Sequence, residues 1–287
     1  EAAAAYWKNV KERLLPLGID AWWQDATEPE NDDLAGRRVN KGLWSGEQVR
    51  NIYPLFVCQT VYNGLVAAGR EPMILTRSGF PGIQRYNAAL WSGDVGNDWE
   101  TFRRQLTAGL GIQAAGIPWW TYDAGGFFRP QDQYTNQDYI ERMLRWIAKS
   151  VYLPLMRVHG YMSNTEPWNY GAEAQQIIAN CLEERERLQP YIDSCATAVA
   201  EKGYTLMRPL VFDFDDDPEA LQQKYEYMFG PKYLISPVTE PNVTEWKTYL
   251  PKNEGGWTDY RTGIHYAGGQ TVTTPVTKAY IPVFVRE

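Results

Sequence analysis

A short apolar run that stops on a carboxylate constrains this chain more than any other feature. Residues 18–30 read GIDAWWQDATEPE, with a glycine on one side and a Glu-Pro turn on the other. Such a run is typical of a buried strand in a parallel sheet. Asp25 is then expected at the carboxyl end of the strand, where α/β folds carry their functional groups. The run therefore predicts an α/β fold with Asp25 in a functional position.

The same alternation of strand and helix continues along most of the chain. Five strand candidates are separated by helical patterns, and polar residues cluster at their ends. The first candidate ends at Asp25, and the others are Met73–Arg77, Ile117–Asp123, Tyr152–His159 and Thr205–Phe214. The predicted helices span residues 3–17, 48–68, 99–110, 137–149 and 172–202, and the Trp91–Asp94 run is placed in a loop. This alternation predicts five β/α units of a (β/α)8 TIM barrel, with an open doubly wound sheet as the alternative.

The pattern of apolar and turn-forming residues changes after Asp217. Short apolar runs then alternate with Gly, Pro and Asn turns, a pattern typical of a small antiparallel β domain. We predict a partial barrel over residues 1–217 and a β-sandwich over residues 218–287 that is incomplete at its end. Because a barrel closes with eight strands, five units predict a piece of a longer protein that does not hydrolyse substrate by itself.

Composition excludes several classes of partner and cofactor. The net charge of −7 and the lack of a basic stripe argue against nucleic acid. No apolar run approaches the roughly 18 residues of a membrane span. Three Cys without a CxxC pair, together with two His, argue against a zinc site, and no cofactor is expected. A periplasmic or secreted location is slightly favoured over a cytoplasmic one, although the cysteines leave the compartment open.

Two carboxylates framed by aromatic residues suggest sugar chemistry. A second run, Trp91-Ser92-Gly93-Asp94, again has a carboxylate after a tryptophan, and the chain contains 12 Trp and 19 Tyr. Aromatic side chains build cores as readily as they build platforms for sugars. Retaining glycosidases need one ionised and one protonated carboxyl group about 5–5.5 Å apart. Asp25 and Asp94 are candidates for this pair, with helix capping as the alternative role.

Several segments resemble, in chain order, the signatures of glycoside hydrolase family 31, the retaining α-glucosidases and α-xylosidases. The run around Asp25 is similar to its nucleophile segment, and the run ending at Asp94 is similar to its acid/base region. The further matching segments are residues 76–80, 84–86, 116–127, 157–159, 207–210, 250–257 and 281–285. The resemblance implies that the five units are the C-terminal part of the barrel and that the β domain lies behind it.

The resemblance also implies a role for each site residue. Asp25 is the expected nucleophile, and Asp94 is the expected general acid and later base. Six side chains are expected to contact the sugar: Trp23, Arg77, Trp91, Asp123, Phe127 and His159. A structural role remains open for Arg77, as the partner of a strand-end Asp, and for His159, as a core histidine. Some relatives have Lys at the position of Trp23.

Glu28 and Glu30 are carboxylates close to Asp25 that compete with it for the nucleophile role. Glu28 comes one turn after the strand and directly before Pro29, so we interpret it as bracing the loop. Asp25 is favoured.

The implied activity is that of an α-xylosidase. The sequence of residues 20–30 is similar to that of bacterial α-xylosidases. This similarity predicts removal of terminal α-xylosyl residues from oligosaccharides such as xyloglucan fragments. An α-glucosidase or α-transglucosylase of the same family is the first alternative. A non-catalytic carbohydrate-binding homologue is the alternative from another class, although a lectin has no need of both Asp25 and Asp94.

Overall fold

A computed structural model of the protein describes residues 1–30 and 34–287. The chain divides into two compact units, Glu1–Gly93 and Asp94–Glu287. No helix in the described part of the chain is long and apolar enough to cross a membrane.

The first unit contains three parallel strands and the helices that precede them. Its elements are α1 (Ala2–Arg13), β1 (Trp22–Gln24), β2 (Arg38–Val39), β3 (Trp44–Ser45), α2 (Gly46–Val49), α3 (Tyr53–Ala67), β4 (Ile74–Thr76) and β5 (Ala88–Trp91). Short 3-10 turns span Leu15–Leu17, Arg50–Ile52 and Ile83–Tyr86. The predicted helix over residues 48–68 is therefore broken into α2, a 3-10 turn and α3, which begins with a proline in its first turn.

The sheet of this unit aligns the carboxyl ends of its strands. β4 pairs in parallel with β1 on one side and β5 on the other, and Gln24, Thr76 and Leu90 lie in register. The residues that follow these ends are Asp25, Arg77 and Trp91, so the register brings three predicted site residues to one edge of the sheet.

The loop predicted around Trp91 is wrong at its start. Residues Ala88–Trp91 form β5, a strand of four residues with Ala88, Leu90 and Trp91 buried. A run this short carries no periodic signal that separates it from a loop. The preceding residue, Asn87, adopts a left-handed backbone at φ 50° that ends the 3-10 turn and starts the strand.

The second unit begins with helices whose ends are set by local capping. Its elements as far as the β domain are α4 (Trp99–Ala114), β6 (Trp120–Thr121), α5 (Gln137–Ser150) and α6 (Ala172–Lys202). Asp98 caps α4 by accepting from the backbone of Thr101, and Asn136 caps α5 in the same way through Tyr139. Gly203, at φ 64°, ends α6. The three predicted helices are confirmed, α6 at both of its predicted ends.

Three of the predicted strands are shorter than expected or absent, and the candidate over residues 117–123 is a strand only at β6. Residues 152–159 form turns and bends instead of a strand, apart from one parallel bridge between Ala124 and Val158. The candidate over residues 205–214 is a strand only at β7 (Met207–Pro209), which pairs antiparallel with β8 (Tyr227–Phe229), and a 3-10 turn follows it. Prolines at 154 and 209 remove backbone donors that longer strands need.

An antiparallel β domain completes the second unit. Its remaining strands are β9 (Tyr233–Ile235), β10 (Glu245–Leu250), β11 (Trp257–Asp259), β12 (His265–Tyr266), β13 (Gln270–Pro275) and β14 (Val283–Arg286). Six strands form one sheet in the order β12-β11-β14-β9-β8-β7, and β10 pairs with β13. The core beneath them includes Met228, Leu234, Leu250, Trp257 and Phe284. The prediction of an antiparallel β domain at this end of the chain is confirmed.

Glu226 is an acidic side chain buried in this domain. It accepts a hydrogen bond of 3.0 Å from the backbone N–H of Tyr249. Burial raises the pKa of Glu226 to about 8, and the hydrogen bond from Tyr249 offsets only part of that rise. The folded protein therefore holds a proton on Glu226 at neutral pH, whereas the unfolded chain does not.

We predict that Glu226→Gln flattens the dependence of stability on pH. Between the ordinary Glu pKa of about 4.3 and the raised value, unfolding of the wild type releases the Glu226 proton, so stability falls as pH rises. Gln cannot ionise and keeps the acceptor for Tyr249. Urea unfolding at pH 5, 6, 7 and 8 should show the variant gaining on the wild type by on the order of a few kcal/mol across the series. Glu240→Gln, at an exposed position, is the control, and pH profiles that stay parallel for Glu226→Gln would contradict the assignment.

Candidate active site

In the first unit, Arg77 gathers three carboxylates at the end of the parallel sheet. Its guanidinium nitrogens lie 3.0 Å from Asp25 Oδ1, 2.8 Å from Glu28 Oε2 and 3.1 Å from Glu30 Oε2. The Arg77 side chain is 12% exposed, whereas the three acids are 40–50% exposed. A shielded cation thus faces a row of accessible anions.

Glu28 uses both of its oxygens on Arg77, as expected of a residue that braces the turn. Nε of Arg77 donates to Oε1 at 3.1 Å, and Nη2 donates to Oε2 at 2.8 Å. Burial raises the pKa of Glu28, but the hydrogen bonds and charge of Arg77 outweigh it and hold that pKa below its usual value.

Asp25 differs from Glu28 in how its oxygens are used. Oδ1 pairs with Arg77 and accepts a 2.8 Å hydrogen bond from the backbone of Ala26, and Oδ2 takes part in neither contact. Ala26 has φ 57°, a left-handed conformation that is strained for a residue with a side chain. The turn is fixed by Thr27, whose hydroxyl lies 2.9 Å from that of Thr76 and 2.8 Å from that of Ser78. In the described residues, both of these contacts of Asp25 thus use the same carboxylate oxygen.

Two tryptophans form an aromatic corner beside these groups. The rings of Trp23 and Trp91 meet edge to face with centroids 5.8 Å apart. Trp91 is buried, whereas Trp23 is 54% exposed. An exposed indole backed by a buried one is suited to pack against the apolar face of a sugar ring.

In the second unit, Asp123 is the centre of the polar cluster. It follows β6 and is 0% exposed, and its Oδ1 accepts from Arg157 Nε at 2.9 Å. Oδ2 is buried, and no donor reaches it within residues 1–30 and 34–287. Burial raises the pKa of Asp123, the charges of Arg157 and His159 oppose the rise, and the negative charge of Asp94 adds to it. Asp94 and His159 therefore lie within electrostatic reach of Asp123.

The loop that carries Asp94 is tied to the loop that follows Asp123. The carbonyl of Val95 accepts from the backbone N–H groups of Phe127 and Phe128 at 3.0 and 3.1 Å. Asn97 Nδ2 donates to the carbonyl of Phe128 at 2.7 Å, and Arg142 in turn donates to the side chain and carbonyl of Asn97. The position of Asp94 is thus set by backbone contacts on one side and by a helix side chain on the other.

An aromatic wall connects this loop to the segment of His159. The Phe127 ring lies 5.6 Å from the imidazole of His159 and 5.6 Å from the ring of Tyr161, in tilted arrangements. The Tyr161 N–H also donates to the Phe127 carbonyl at 2.8 Å. The half-buried His159 therefore faces an aromatic side chain instead of sitting in an apolar core.

The comparisons with known proteins identify the family. The model of the glycosyl hydrolases family 31 TIM-barrel domain matches residues 1–195, and the model of the family 31 C-terminal domain matches residues 203–287. The chain belongs to glycoside hydrolase family 31.

Relatives in this family cover more than one named activity. The chain is 42% identical to the alpha-xylosidase of Saccharolobus solfataricus over 100% of its own length and 39% of the relative. It is 32% identical to the human neutral alpha-glucosidase C over 92% of its length and 29% of the relative. Among solved structures, the GH31 alpha-xylosidase from a soil metagenome, complexed with xylose, superposes with a TM-score of 0.93 at 36% identity, covering 100% of this chain and 45% of that one. The chain thus spans less than half the length of these relatives.

The structure groups the predicted site residues by unit. Asp25, Arg77, Trp23 and Trp91 meet in the first, and Asp94, Asp123, Phe127 and His159 meet in the second. No set of three or more potential metal-ligating side chains is found within the described residues.

Sequence reasoning missed the supporting contacts of both groups. The missed residues are Glu28 and Glu30 as joint partners of Arg77, Asn97 and Arg142 behind Asp94, and Tyr161 beside Phe127. A signal existed for Glu28 and Glu30, since acids near a lone strand-end arginine are its natural partners. The contacts of Asn97 and Arg142 join residues 45 positions apart and leave no local pattern.

We predict that Gly126→Ala destabilises the loop between Asp123 and Phe127. Gly126 has φ 85°, and an added Cβ would lie 2.5 Å from the carbonyl oxygen of Gly96. The unfolding free energy should fall by about 1–3 kcal/mol. The matched control is Gly111→Ala, on an exposed face of α4 where an added Cβ meets nothing within 4 Å, and it should stabilise by up to about 1 kcal/mol. Thermal or urea unfolding of the two variants checks this, and equal midpoints would show that the loop can move away.

Proposed function

We propose that the full-length protein containing this chain is a retaining α-glycoside hydrolase that removes terminal α-xylosyl residues from oligosaccharides such as xyloglucan fragments. In this proposal residues 1–217 provide the C-terminal five units of the catalytic barrel, and residues 218–287 belong to a β-sandwich behind it. Membership of family 31 supports the reaction class, and the contacts below support the roles.

The observation that carries the proposal is the state of Asp123. One oxygen of this buried carboxylate is fixed by Arg157, while the other is buried without a donor in the described part of the chain. A buried acceptor without a donor is costly, and a hydroxyl from a ligand would satisfy it. The aromatic wall of Phe127 and His159 beside it offers the apolar contact that a pyranose ring also needs.

Asp25 is the proposed nucleophile. A nucleophilic carboxylate must be ionised and accessible. The ion pair with Arg77 places a positive charge beside Asp25, and the side chain is 50% exposed. Attack of Oδ2 on the anomeric carbon would form a glycosyl ester with Asp25 and release the leaving oxygen.

Asp94 is the proposed general acid and base. It is exposed, and its loop is held by the contacts of Val95 and Asn97. In the first step it would give its proton to the leaving oxygen, and in the second it would take one from the attacking water. Water then breaks the ester, and the product keeps the α configuration.

The xylosyl preference rests on similarity to named α-xylosidases, and α-glucosidases are also among the relatives. Hydrolysis of α-glucosides, or transfer of glucose to another sugar, is therefore the second candidate. A purely carbohydrate-binding role is disfavoured, since binding alone would not need both Asp25 and Asp94.

We predict that Asp25→Ala and Asp94→Ala lose activity in different ways in the full-length protein. Asp25→Ala should lose nearly all turnover on every α-glycoside. Asp94→Ala should lose turnover on natural oligosaccharides but still react with a glycosyl fluoride, whose leaving group needs no proton. Added azide should then restore turnover of Asp94→Ala and give an α-glycosyl azide, which NMR identifies.

Glu28→Gln is the matched control for this experiment, because Glu28 shares Arg77 with Asp25 but is proposed only to brace the turn. It should retain measurable turnover. A β-configured first product, or equal losses on both substrates without azide rescue, would contradict the mechanism.

We predict a preference for α-xylosides over α-glucosides. A pocket that accepts a pentose can reject the extra hydroxymethyl group of glucose by steric conflict. The values of kcat/KM for 4-nitrophenyl α-xyloside and α-glucoside decide the question, and a higher value for the glucoside would make the second candidate the correct one.

A further inference from the structure

We propose that Arg129 is a positioning residue that locks the loop after Asp123 to the segment of His159, and so sets the geometry of the sugar-binding side of the active site. The inference rests on the proposed function of Asp123 and His159 but concerns a residue outside that set. Arg129 itself is not proposed to touch the sugar.

The Arg129 guanidinium joins segments that are far apart in sequence. Nη2 donates to the carbonyls of both Ala124 and His159 at 3.0 Å each. Nε donates to the carbonyl of Gly126 at 3.2 Å, and Nη1 donates to the hydroxyl of Tyr170 at 2.7 Å. All four acceptors are neutral oxygens, so the side chain acts as a clamp on the backbone rather than as the partner of a nearby acid.

The clamp acts on atoms next to the proposed sugar contacts. The carbonyl of Ala124 is one residue after Asp123, and that of Gly126 is one residue before Phe127. The third carbonyl is that of His159, which is itself one of the proposed sugar-binding residues. Backbone pairing between the two segments is sparse, consisting of the Ala124–Val158 bridge and the Tyr161-to-Phe127 hydrogen bond. A third connection through Arg129 is therefore a large part of what fixes their separation.

The fourth acceptor anchors the clamp to the rest of the unit. The Tyr170 hydroxyl donates in turn to Gln133 Oε1 at 3.0 Å, and Arg129 thereby becomes part of a network that reaches the start of α6. Packing around it is tight, because a Cβ at Gly160 would lie 2.5 Å from Arg129 Nε. The side chain has little room to take another position.

Lysine cannot reproduce this arrangement. The planar guanidinium presents several donors in a fixed fork, whereas an ammonium group is a single point with three. Arg129→Lys should therefore keep the charge and one or two contacts, and should retain more activity than Arg129→Ala.

The chain offers a matched control in Arg185. Its guanidinium also clasps backbone carbonyls, those of Val151, Leu153 and Pro154, at 2.5–2.9 Å. Arg185→Ala thus removes a comparable clamp from a segment that carries no proposed sugar contact. It separates loss of geometry at the site from general loss of stability.

The kinetic test uses the full-length protein with an aryl α-xyloside and an aryl α-glucoside. Arg129→Ala should lower kcat/KM about 10–100-fold, as expected when binding groups shift by up to about 1 Å. Arg129→Lys should lie between Arg129→Ala and the wild type, and Arg185→Ala should stay within about threefold of the wild type. Combined with His159→Ala, the Arg129→Ala loss should be far from additive, because both act on the same contact. Additive losses, or an equal loss in Arg185→Ala, overturn the proposal.

Hydrogen exchange gives a readout that does not require activity. In Arg129→Ala, peptides covering residues 123–129 and 157–161 should exchange faster than in the wild type, whereas in Arg185→Ala the increase should be confined to residues 150–156. Unchanged exchange in both segments of Arg129→Ala overturns the proposal. If Arg129→Ala does not fold, Arg129→Lys is judged by the same criteria. A wild-type protein that turns over neither substrate would refute the proposed function, and the exchange result would still decide the role of Arg129.

Discussion

A single guanidinium shared by three carboxylates is the interaction on which the polar cluster of the first unit depends. Glu28, Glu30 and Asp25 crowd one end of the sheet, and without Arg77 their negative charges would repel each other. The hydrogen bonds that Arg77 donates to Glu28 are the largest cause of its raised pKa, so Arg77 stays charged at any working pH. The parallel register then decides what this charge does, because it places Arg77 directly beside Asp25. A carboxylate proposed to attack is in this way kept beside a cation that two other acids hold in place.

The polar cluster of the second unit follows the opposite electrostatic rule. Asp123 is removed from water, and burial raises its pKa even though Arg157 and His159 oppose the shift. A buried carboxylate of this kind is expensive unless its oxygens are used. The two units therefore present different acids: one accessible and compensated by charge, the other hidden and only partly satisfied.

What the sequence could predict is set by the range of the interactions involved. The buried strand at Trp22 and the position of Asp25 at its carboxyl end could be predicted, because the strand, the carboxylate and the turn after it are adjacent in the sequence. Both ends of α6 could be predicted, and Gly203 is the local signal at its C-terminal end. By contrast, β5 is too short to show the alternation of a strand. Residues 152–159 have the apolar composition of a strand, but they contain a proline and form turns and bends. The contacts of Arg129 left no signal in the sequence, because its partners are three backbone carbonyls and a tyrosine hydroxyl up to 41 residues away.

Within the second unit, helix α5 connects the β domain to the segments that carry Asp94 and Asp123. On the side of the site, Tyr139 donates to the carbonyl of Gly125 at 3.0 Å, and Arg142 supports Asn97 behind Asp94. On the side of the β domain, Arg145 and Glu141 form a buried ion pair at 2.8 Å. A buried pair of this kind is stabilising only when its remaining hydrogen-bonding capacity is also used. Here the β domain supplies the partners, since Glu141 accepts from the backbone of Asn242 at 3.0 Å and Arg145 donates to the carbonyl of Val243 at 3.1 Å.

In the last turn of α5, Lys149 is fully buried, and burial holds its pKa well below the usual value. Its Nζ lies 5.8 Å from the ring centre of Trp120, 4.8 Å from that of Tyr122 and 5.4 Å from that of Tyr227. Trp120 is in β6 and Tyr122 follows it, directly before Asp123, whereas Tyr227 belongs to β8 of the β domain. Aromatic faces attract a cation and also pack well against the neutral amine, so the cage accommodates either form of Lys149. The β domain thus supports the segment of Asp123 through its contacts with α5 and through the packing of Tyr227 around Lys149. It carries none of the proposed catalytic or binding residues itself.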